Sequence, residues 1–449
     1  MSDENKARRD EDEARVDAIV VGGGPAGLTA ALTMAREGLE VILVERGEYA
    51  GSKNVGGLFY GTILNTIIAD AINEAPIERP VSKRSIVYLG EAQHMAIDFG
   101  ADAWSKPPYN NTYIVNRSQF DRWFAARVEE AGVALLEGMV VEGLIYEGTD
   151  GEKKAVGVRL RGDEELFADA VILAEGANCL VTDLVRKELG LRGGKTAQEY
   201  AVGFKEIISL PSETIEDRFN LEENEGTAMD FVGLPFEGMV GGGFLYTARE
   251  AIHLGVVIKI ETLVTSGLTP NEIMDRFKQH PVVRKYVRGG DLVEYSAHML
   301  PEAGYEAVGE LTGNGVLICG DAAGLLNMSL YKEGTNHAME SGRAAGLTVV
   351  EARAAGDLSR TGLKDYEARL NDGIVMHDLK KYSEVPDVLS GTPGLLSLYP
   401  QKVNQLLVDY FTVTRHPKSE IQKQALRRFF EGMPKLQFLR DMLRARKMV

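Results

Sequence analysis

A chain of 449 residues is longer than one ordinary compact core, so two or three domains are expected. Its composition, 44% hydrophobic and 26% charged, is typical of a globular protein, and its formal net charge of −16 disfavours nucleic acid as a partner because phosphate backbones would be repelled. Two cysteines exclude a disulfide scaffold, a cysteine-rich zinc site and an iron–sulfur cluster held by four thiolates of this chain, and they favour a reducing compartment.

The first residues give no sign of export. Residues 1–17 have mixed charge and lack the basic and apolar segments of a secretory signal, which favours a cytoplasmic protein. Residues 18–35 form an uncharged stretch of nearly the length that a bilayer requires, but four glycines and a proline interrupt it. The stretch therefore predicts a strand, a tight turn and a buried helix, and no transmembrane helix is expected in the chain.

A nucleotide-binding unit is predicted within residues 16–45, where two short apolar runs flank a helical pattern. The turn after the first run has the spacing Gly22-x-Gly24-x-x-Gly27, in which glycines allow a sharp turn, approach of backbone amides to a pyrophosphate and close packing of helix on strand. Glu45 ends the second strand, where the acid of this fingerprint binds the adenosine ribose. A glycine-rich turn in a ligand-free α/β domain is the less favoured alternative.

Two later apolar runs are expected to return to the same sheet. Each ends in a glycine-containing turn, the first at Glu175 and Gly176 and the second at Gly320 and Asp321. Because open α/β sheets bind ligands at the carboxyl ends of their strands, both turns are expected beside the first glycine turn. Asp321, where a strand ends and a helix begins, has the position to accept a hydrogen bond from a ligand hydroxyl, with an ordinary helix N-cap as the alternative.

These returns predict an α/β protein whose Rossmann-like domain is discontinuous. A second, sheet-containing domain with many short β-type runs is expected to cover the site, and the end of the chain reads as helical. The predicted division is residues 13–80, 110–200 and 295–365 for the nucleotide-binding domain, 81–109 and 201–294 for the second domain, and 366–449 for the helical region.

Three segments carry a resemblance to a known family: residues 20–27, residues 320–324 with the sequence Gly-Asp-Ala-Ala-Gly, and residues 333–342 with the sequence Glu-Gly-Thr-Asn-His-Ala-Met-Glu-Ser-Gly. They resemble the glutathione-reductase-type FAD family. Residues 200–205, 241–247 and 294–298 narrow the resemblance to the electron transfer flavoprotein:quinone oxidoreductases and their shorter FixC (EtfC) relatives. The resemblance spans nearly the whole chain.

The resemblance implies FAD as the cofactor, and the candidate residues would then bind FAD together. The helix start near Gly334 and Asn336 would direct its positive dipole end at the flavin, although capping and packing are the alternative for Asn336 and His337. Arg117 matches an arginine near FAD, a solvated arginine being the alternative, and Val141 would offer its backbone to adenine or simply pack in the core. The candidate FAD-binding residues are Gly22, Gly24, Pro25, Ala26, Gly27, Glu45, Arg46, Lys53, Gly56, Gly57, Arg117, Val141, Ala174, Glu175, Gly176, Gly320, Asp321, Gly334, Thr335 and Asn336.

The resemblance also implies partners. Full-length oxidoreductases of this family carry an iron–sulfur segment after the flavin domain, whereas this chain has no cysteine after Cys319, so the cluster is expected on a small, separate ferredoxin-like subunit. An electron transfer flavoprotein heterodimer would supply the electrons, and its own flavin would carry out bifurcation. The chain itself would reduce a quinone on the cytoplasmic face of a membrane, as a peripheral protein.

Quinone access is predicted near Gly243, Phe244 and Tyr246, because glycines let a flat ligand lie on the backbone and the aromatic rings provide an apolar slot. A glycine-rich hairpin is the alternative. Residues 415–449 carry ten Lys or Arg against three acids, with apolar residues interspersed. This segment predicts a surface that docks an acidic ferredoxin-like partner or an anionic membrane, or else a basic helix packed on its own acidic body.

No metal site is expected, because the seven histidines are scattered without a paired spacing. Two other functions stay open. One is a single-component FAD reductase or hydroxylase of the geranylgeranyl-reductase or aromatic-hydroxylase type, which shares the FAD motifs, and the other is a flavin-loaded structural subunit without turnover.

Overall fold

The computed structural model describes residues 15–52, 54–149, 152–193, 200–302, 304–329 and 332–448. The strands are β1 Val16–Val21, β2 Val41–Glu45, β3 Gly57–Tyr60, β4 Ile77–Leu89, β5 His94–Gly100, β6 Thr112–Val115, β7 Ala134–Glu137, β8 Val141–Glu147, β9 Lys154–Leu160, β10 Glu165–Leu173, β11 Tyr200–Ser209, β12 Gly226–Gly233, β13 Gly241–Thr247, β14 Ala251–Lys259, β15 Asp291–Pro301, β16 Thr312–Gly313 and β17 Val316–Ile318. The helices are α1 Pro25–Arg36, α2 Thr62–Ile67, α3 Ala71–Glu74, α4 Arg117–Glu130, α5 Thr182–Glu188, α6 Ser212–Phe219, α7 Ile260–Ser266, α8 Pro270–Gln279, α9 Val283–Val287, α10 Thr335–Ala354, α11 Asp365–Asp372, α12 Ile374–Lys381, α13 Val385–Gly391, α14 Leu398–Phe411, α15 Lys418–Phe430 and α16 Lys435–Ala445.

The first sheet is the nucleotide-binding layer. Its strands lie in the order β16–β17–β10–β1–β2–β7, and every neighbouring pair except β16 and β17 is parallel. Strands β8 and β9 add an antiparallel extension to the first part of β10. The continuous apolar runs of β1 and β10 are buried, as expected for parallel strands covered on both faces.

Helix α10 packs directly on α1. A Cβ at Gly342 would lie 2.1 Å from the Ala26 carbonyl oxygen, so only glycine allows the two helices to approach so closely. This contact brings the amino end of α10 towards the β1–α1 turn. Residues far apart in the sequence therefore meet at one edge of the sheet.

The second sheet is mostly antiparallel and contains nine strands within the described residues. Its order is β15–β11–β14–β13–β12–β4–β6–β3, with β5 paired to β4. One face forms a hydrophobic core with α6, α8 and α9, in which Phe204, Leu245 and Leu254 meet Ile273 and Phe277. Because side chains alternate along a strand, the neighbours of these core residues point to the opposite face.

The helical carboxyl-terminal region follows α10. Tyr399 on α14 donates a hydrogen bond to Asp441 on α16 at 2.5 Å, and its ring lies 5.4 Å from that of Phe438. The Asn404 side chain donates to the Tyr88 carbonyl at 2.8 Å and so attaches α14 to β4 of the second sheet. In the portion of the chain that the structure describes, no helix combines the length and the apolar character that crossing a bilayer requires.

The predicted α/β class, with a Rossmann-like domain, a second sheet and a helical end, is confirmed. In two places the observed strand pairing differs from the domain boundaries that the sequence predicts. Strand β15 pairs with β11 along its whole length and so belongs to the second sheet from residue 291 to 301. Strands β3 and β6 also join this sheet, through β4. Local apolar patterns identify a strand but not its partner, which explains the difference.

Candidate active site

The turn between β1 and α1 leaves room for a ligand at one position. At Gly22, φ is +110° and a Cβ would lie 2.4 Å from the Ala174 carbonyl oxygen, while a Cβ at Gly27 would lie 1.9 Å from the Gly22 oxygen. Close contacts within the protein, rather than with a ligand, require glycine at these two positions. Gly24, which caps α1, has ordinary dihedral angles and no atom within 4 Å of its Cβ position. The space in front of the helix start therefore fits a pyrophosphate.

Glu45 lies at the end of β2 beside this turn. Its carboxylate accepts hydrogen bonds from the backbone N–H groups of Gly23 at 2.7 Å and Gly47 at 2.5 Å. These bonds fix the acid next to the start of α1, where a ribose attached to the pyrophosphate would lie. Pro25 and Ala26 form the buried first turn of α1, and the exposed Arg46 follows the acid.

The turn after β10 contributes its backbone. The Ala174 N–H group donates to the Val21 carbonyl at 2.8 Å, and Gly176 has φ +75°. The Glu175 carboxylate accepts hydrogen bonds from the N–H groups of Val181 and Thr182, just before and at the start of α5. The Glu175 side chain therefore caps a helix in this structure.

One further candidate residue, Val141, has a local role in the structure. Val141 is buried at the start of β8 and pairs with Leu160, which fits core packing and leaves its backbone as the only group for a ligand. Lys53 lies outside the described residues.

The turn after β17 lies against the same helix start. Gly320 has φ +62°, a Cβ there would lie 2.9 Å from the Ala26 Cβ, and its N–H group donates to Ser341 Oγ at 3.0 Å. Asp321 follows in a short 3-10 turn. The second returning strand thus delivers Asp321 to the first glycine turn, as the sequence predicts.

The amino end of α10 is held by side-chain hydrogen bonds. Thr335 Oγ1 accepts from the Tyr60 N–H group at 3.4 Å, and Asn336 Oδ1 accepts from the Ile63 N–H group at 3.3 Å. The Asn336 amide also donates to Glu333 at 2.6 Å. These side chains position the segment around β3, whereas Gly334 caps the helix and leaves its dipole as the feature that a flavin would meet.

Positive charges converge beside Asp321. Arg117 forms a bidentate ion pair with the buried Asp121, with both hydrogen bonds at 2.8 Å. Burial lowers the pKa of His298; Asp321 opposes the shift, and Lys205, Arg117 and Arg46 add to it. Because charges from four separate segments act on one imidazole, these segments meet at a single place in the fold.

Lys205 is a central residue that the sequence-based candidates omit. Its Nζ donates to the Gly56 carbonyl at 3.3 Å and lies 5.9 Å from the centre of the Phe244 ring. Burial and the nearby Arg117 lower the pKa of Lys205 to about 8. Its signal in the sequence is the single cation of the strand that begins at Tyr200, which is apolar up to this residue.

His253 is the second omitted residue. It is buried beneath the loop before β3, and a Cβ at Gly56 would lie 1.9 Å from its ring. Burial and Lys205 lower the pKa of His253 to about 3, so the imidazole is neutral at physiological pH. Gly57 lies beside the same group, since a Cβ there would be 3.8 Å from Lys205 Nζ. The candidate residues Gly56 and Gly57 therefore lie against β11 and β14 of the second sheet.

The predicted quinone-facing residues lie on β13, next to Lys205. The rings of Phe244 and Tyr246 stack with centres 4.9 Å apart and planes inclined by 20°. Both share the sheet face of Lys205 and His253, as the strand register requires. A Cβ at Gly243 would instead lie 2.4 Å from the Phe277 ring, so this glycine faces the helical core on the other side.

Comparisons with known families agree with this geometry. Residues 17–180 match the model of FAD dependent oxidoreductases, residues 200–300 match "ETF-QO, ubiquinone-binding", and residues 385–449 match the "ETF-QO/FixC family C-terminal domain". The space at Gly24 and the cations around Asp321 fit the diphosphate and the flavin of FAD. The protein is an FAD-dependent oxidoreductase.

Similar proteins identify the family of this chain among FAD-dependent oxidoreductases. The probable electron transfer flavoprotein-quinone oxidoreductase YdiS of Escherichia coli strain K12 is 38% identical over 414 residues, which cover 92% of this chain and 94% of that protein. FixC of Bradyrhizobium diazoefficiens is 38% identical over 421 residues, covering 93% and 95%. The chain belongs to the electron transfer flavoprotein:quinone oxidoreductase and FixC family, and the resemblance noted in the sequence is confirmed.

Solved structures show the same fold at low identity. A geranylgeranyl bacteriochlorophyll reductase-like protein from Thermoplasma acidophilum has a TM-score of 0.69 at 20% identity and covers 92% of this chain and 96% of its own. The halogenase PltM has a TM-score of 0.63 at 14% identity, with coverage of 93% and 84%. At such identities the likeness establishes the fold alone.

The open space at Gly24 leads to a specific prediction. Gly24→Val should fold normally, because no protein atom lies within 4 Å of the Cβ position, but FAD binding should weaken by about 1–3 kcal/mol or more, because the side chain occupies the space of the pyrophosphate. Flavin occupancy after gel filtration and thermal unfolding of the flavin-free protein measure the two effects. Gly391→Val on α13 is the control, since the nearest atom to its Cβ lies 3.9 Å away, far from the turn in the sequence. Wild-type flavin occupancy in Gly24→Val would contradict the assignment.

Proposed function

We propose that this FAD-dependent quinone oxidoreductase is the FixC-type subunit of a complex with an electron transfer flavoprotein heterodimer and a small ferredoxin-like subunit. Electrons enter from the heterodimer through the cluster of the small subunit and leave to a membrane quinone. The observation that carries the proposal is the wall formed by Lys205, Phe244 and Tyr246 within residues 200–300, opposite the loop of Gly56 and Gly57.

The cysteines support a cluster on a partner. Cys179 and Cys319 are the two cysteines of the chain, and both are buried. Burial raises the pKa of the Cys319 thiol to about 12, which disfavours the thiolate that a metal requires. Since an iron–sulfur cluster takes four such ligands, the cluster belongs to another subunit. In this arrangement the bifurcating flavin resides in the heterodimer, and this chain serves the branch that leads to quinone.

The wall formed by Lys205, Phe244 and Tyr246 suits a quinone head group. The stacked Phe244 and Tyr246 provide a flat apolar surface, and the Lys205 ammonium group supplies a positive charge close to it. A quinone gains negative charge on its oxygens as it accepts electrons, and a cation at Lys205 Nζ would stabilise that charge. Bound FAD supplies electrons singly or in pairs, and the protein contributes orientation and charge.

The aromatic surface can be tested by substitution. Phe244→Asp should raise the KM for a short-chain ubiquinone about 10- to 100-fold, because it removes the apolar contact with the head group. Phe244→Leu, which keeps an apolar side chain, should change the KM by only a few fold. Steady-state quinone reduction by variants that retain FAD measures the effect. An unchanged KM in flavin-loaded Phe244→Asp would place the quinone elsewhere.

Lys205 predicts a pH dependence. Its ammonium group is charged below pH about 8 and neutral above it, so the rate of quinone reduction should fall as pH rises through 8. Lys205→Met should be slower, by about tenfold or more, at pH 7 and should lack this fall, whereas Lys205→Arg should keep its charge to higher pH. Stopped-flow rates between pH 6.5 and pH 9.5 provide the profile. The same fall in Lys205→Met would assign the titration to another group.

The carboxyl-terminal region offers a docking surface for the small subunit. On α16, Leu436, Leu439 and Leu443 lie on one face and are 84%, 57% and 60% exposed. Basic side chains flank this stripe, although Arg428 and Lys447 pair with acids of the protein's own body. An apolar stripe with basic borders fits an acidic protein with an apolar contact patch.

The stripe leads to a prediction for complex assembly. Leu436→Glu combined with Leu443→Glu should release the small iron–sulfur subunit while FAD and the melting temperature stay unchanged, because both side chains are already exposed. Val264→Glu, at a residue that is 74% exposed on α7, is the control. Native mass spectrometry of the co-expressed complex and sedimentation with anionic vesicles are the measurements. Retention of the subunit together with loss of vesicle binding would identify the stripe as a membrane surface.

A further inference from the structure

A buried histidine near the amino end of α10 lacks well-formed hydrogen bonds. The His337 side chain is 0% exposed, and neither Nδ1 nor Nε2 forms a hydrogen bond of ordinary length and angle to a described residue, although the Leu325 backbone and the Asp378 carboxylate lie close to the ring. A buried polar group without a partner costs free energy and calls for a specific explanation. The only roles that the sequence offers for this residue by itself are capping and packing at the helix start.

Two carboxylates surround the imidazole. Glu333 lies two residues before the start of α10 and four residues before His337, while Asp378 comes from α12. One ligand atom from each of the three side chains lies within 4.8 Å of the others. The Asn336 amide donates to Glu333 at 2.6 Å, which orients that carboxylate as a supporting residue does around a metal.

The distance between His337 and Asp378 suits two ligands of one metal ion better than an ion pair between a protonated imidazole and a carboxylate. The His337 Nε2 and Asp378 Oδ2 atoms are 3.6 Å apart. An imidazolium would draw the carboxylate to about 2.7–2.9 Å, whereas two ligands of a tetrahedral zinc ion, each about 2.1 Å from the metal, lie about 3.4 Å apart. Asp378 is 31% exposed, so an ion can enter from its side.

We propose that Glu333, His337 and Asp378 form a site for a borderline first-row divalent cation such as Zn²⁺. One nitrogen and two carboxylate oxygens suit this class, whereas Mg²⁺ and Ca²⁺ prefer oxygen ligands alone. Three protein ligands leave a fourth position for water. The ion links α12 to the start of α10.

The test uses the full FAD-loaded chain after treatment with EDTA and desalting. On addition of excess ZnCl2 and a second desalting, mass spectrometry of the metals should find about one zinc per chain, and zinc should raise the melting temperature. His337→Gln and Asp378→Asn should each weaken zinc binding about tenfold or more. His377→Ala, at an exposed residue of α12 next to Asp378, is the control and should bind zinc as the wild type does.

Several results would overturn the proposal. These are wild-type protein that retains no zinc, retention undiminished in both ligand variants, loss of zinc in His377→Ala, or Mg²⁺ binding as tight as that of zinc. If His337→Gln does not fold, the partly exposed Asp378→Asn decides the question alone.

Discussion

The hydrogen bond between Lys205 and the Gly56 carbonyl is the contact on which the active site depends. It joins the second sheet to the loop that follows the nucleotide-binding strands, and it holds a cation in a buried place. Burying an ammonium group is unfavourable unless it is compensated, and its lowered pKa reflects this cost. Arg117 adds to this shift, and Lys205, Arg117 and Arg46 together lower the pKa of His298, so a local positive field exists in a chain of net charge −16. An anionic cofactor, or a quinone that gains negative charge, would partly neutralise this positive field.

The sequence predicts the nucleotide-binding half of the site because its signals are local. Gly22, Gly24 and Gly27 are separated by a few residues, and the physical reason for each glycine can be stated without the fold. Asp321 could be placed as well, since a strand that returns to a parallel sheet delivers its final residue to a known edge. The structure supports these positions through close backbone approaches at Gly22 and Gly27.

The other half of the site, on the second sheet, depends on which side chains of each strand face the site. The sequence alone does not determine that orientation. Phe244 and Gly243 are neighbours, yet one faces Lys205 and the other faces Phe277. Glu175 carries a chemically suitable carboxylate that caps α5 in the fold. His337 and Asp378 lie in different helices, so the spacing of histidines along the chain cannot reveal their proximity. Tertiary packing, rather than any local pattern, determines each of these outcomes.

We propose that this chain, with FAD and without a cluster of its own, passes electrons directly to quinone. The most direct test is anaerobic reduction of the purified, iron-assayed protein, followed by rapid mixing with a short-chain ubiquinone while flavin absorbance is recorded. We expect one FAD and no stoichiometric iron per chain, with flavin reoxidation whose rate rises with quinone concentration and saturates. Reduced flavin that persists in the presence of quinone, or iron at cluster stoichiometry on this chain alone, would contradict it.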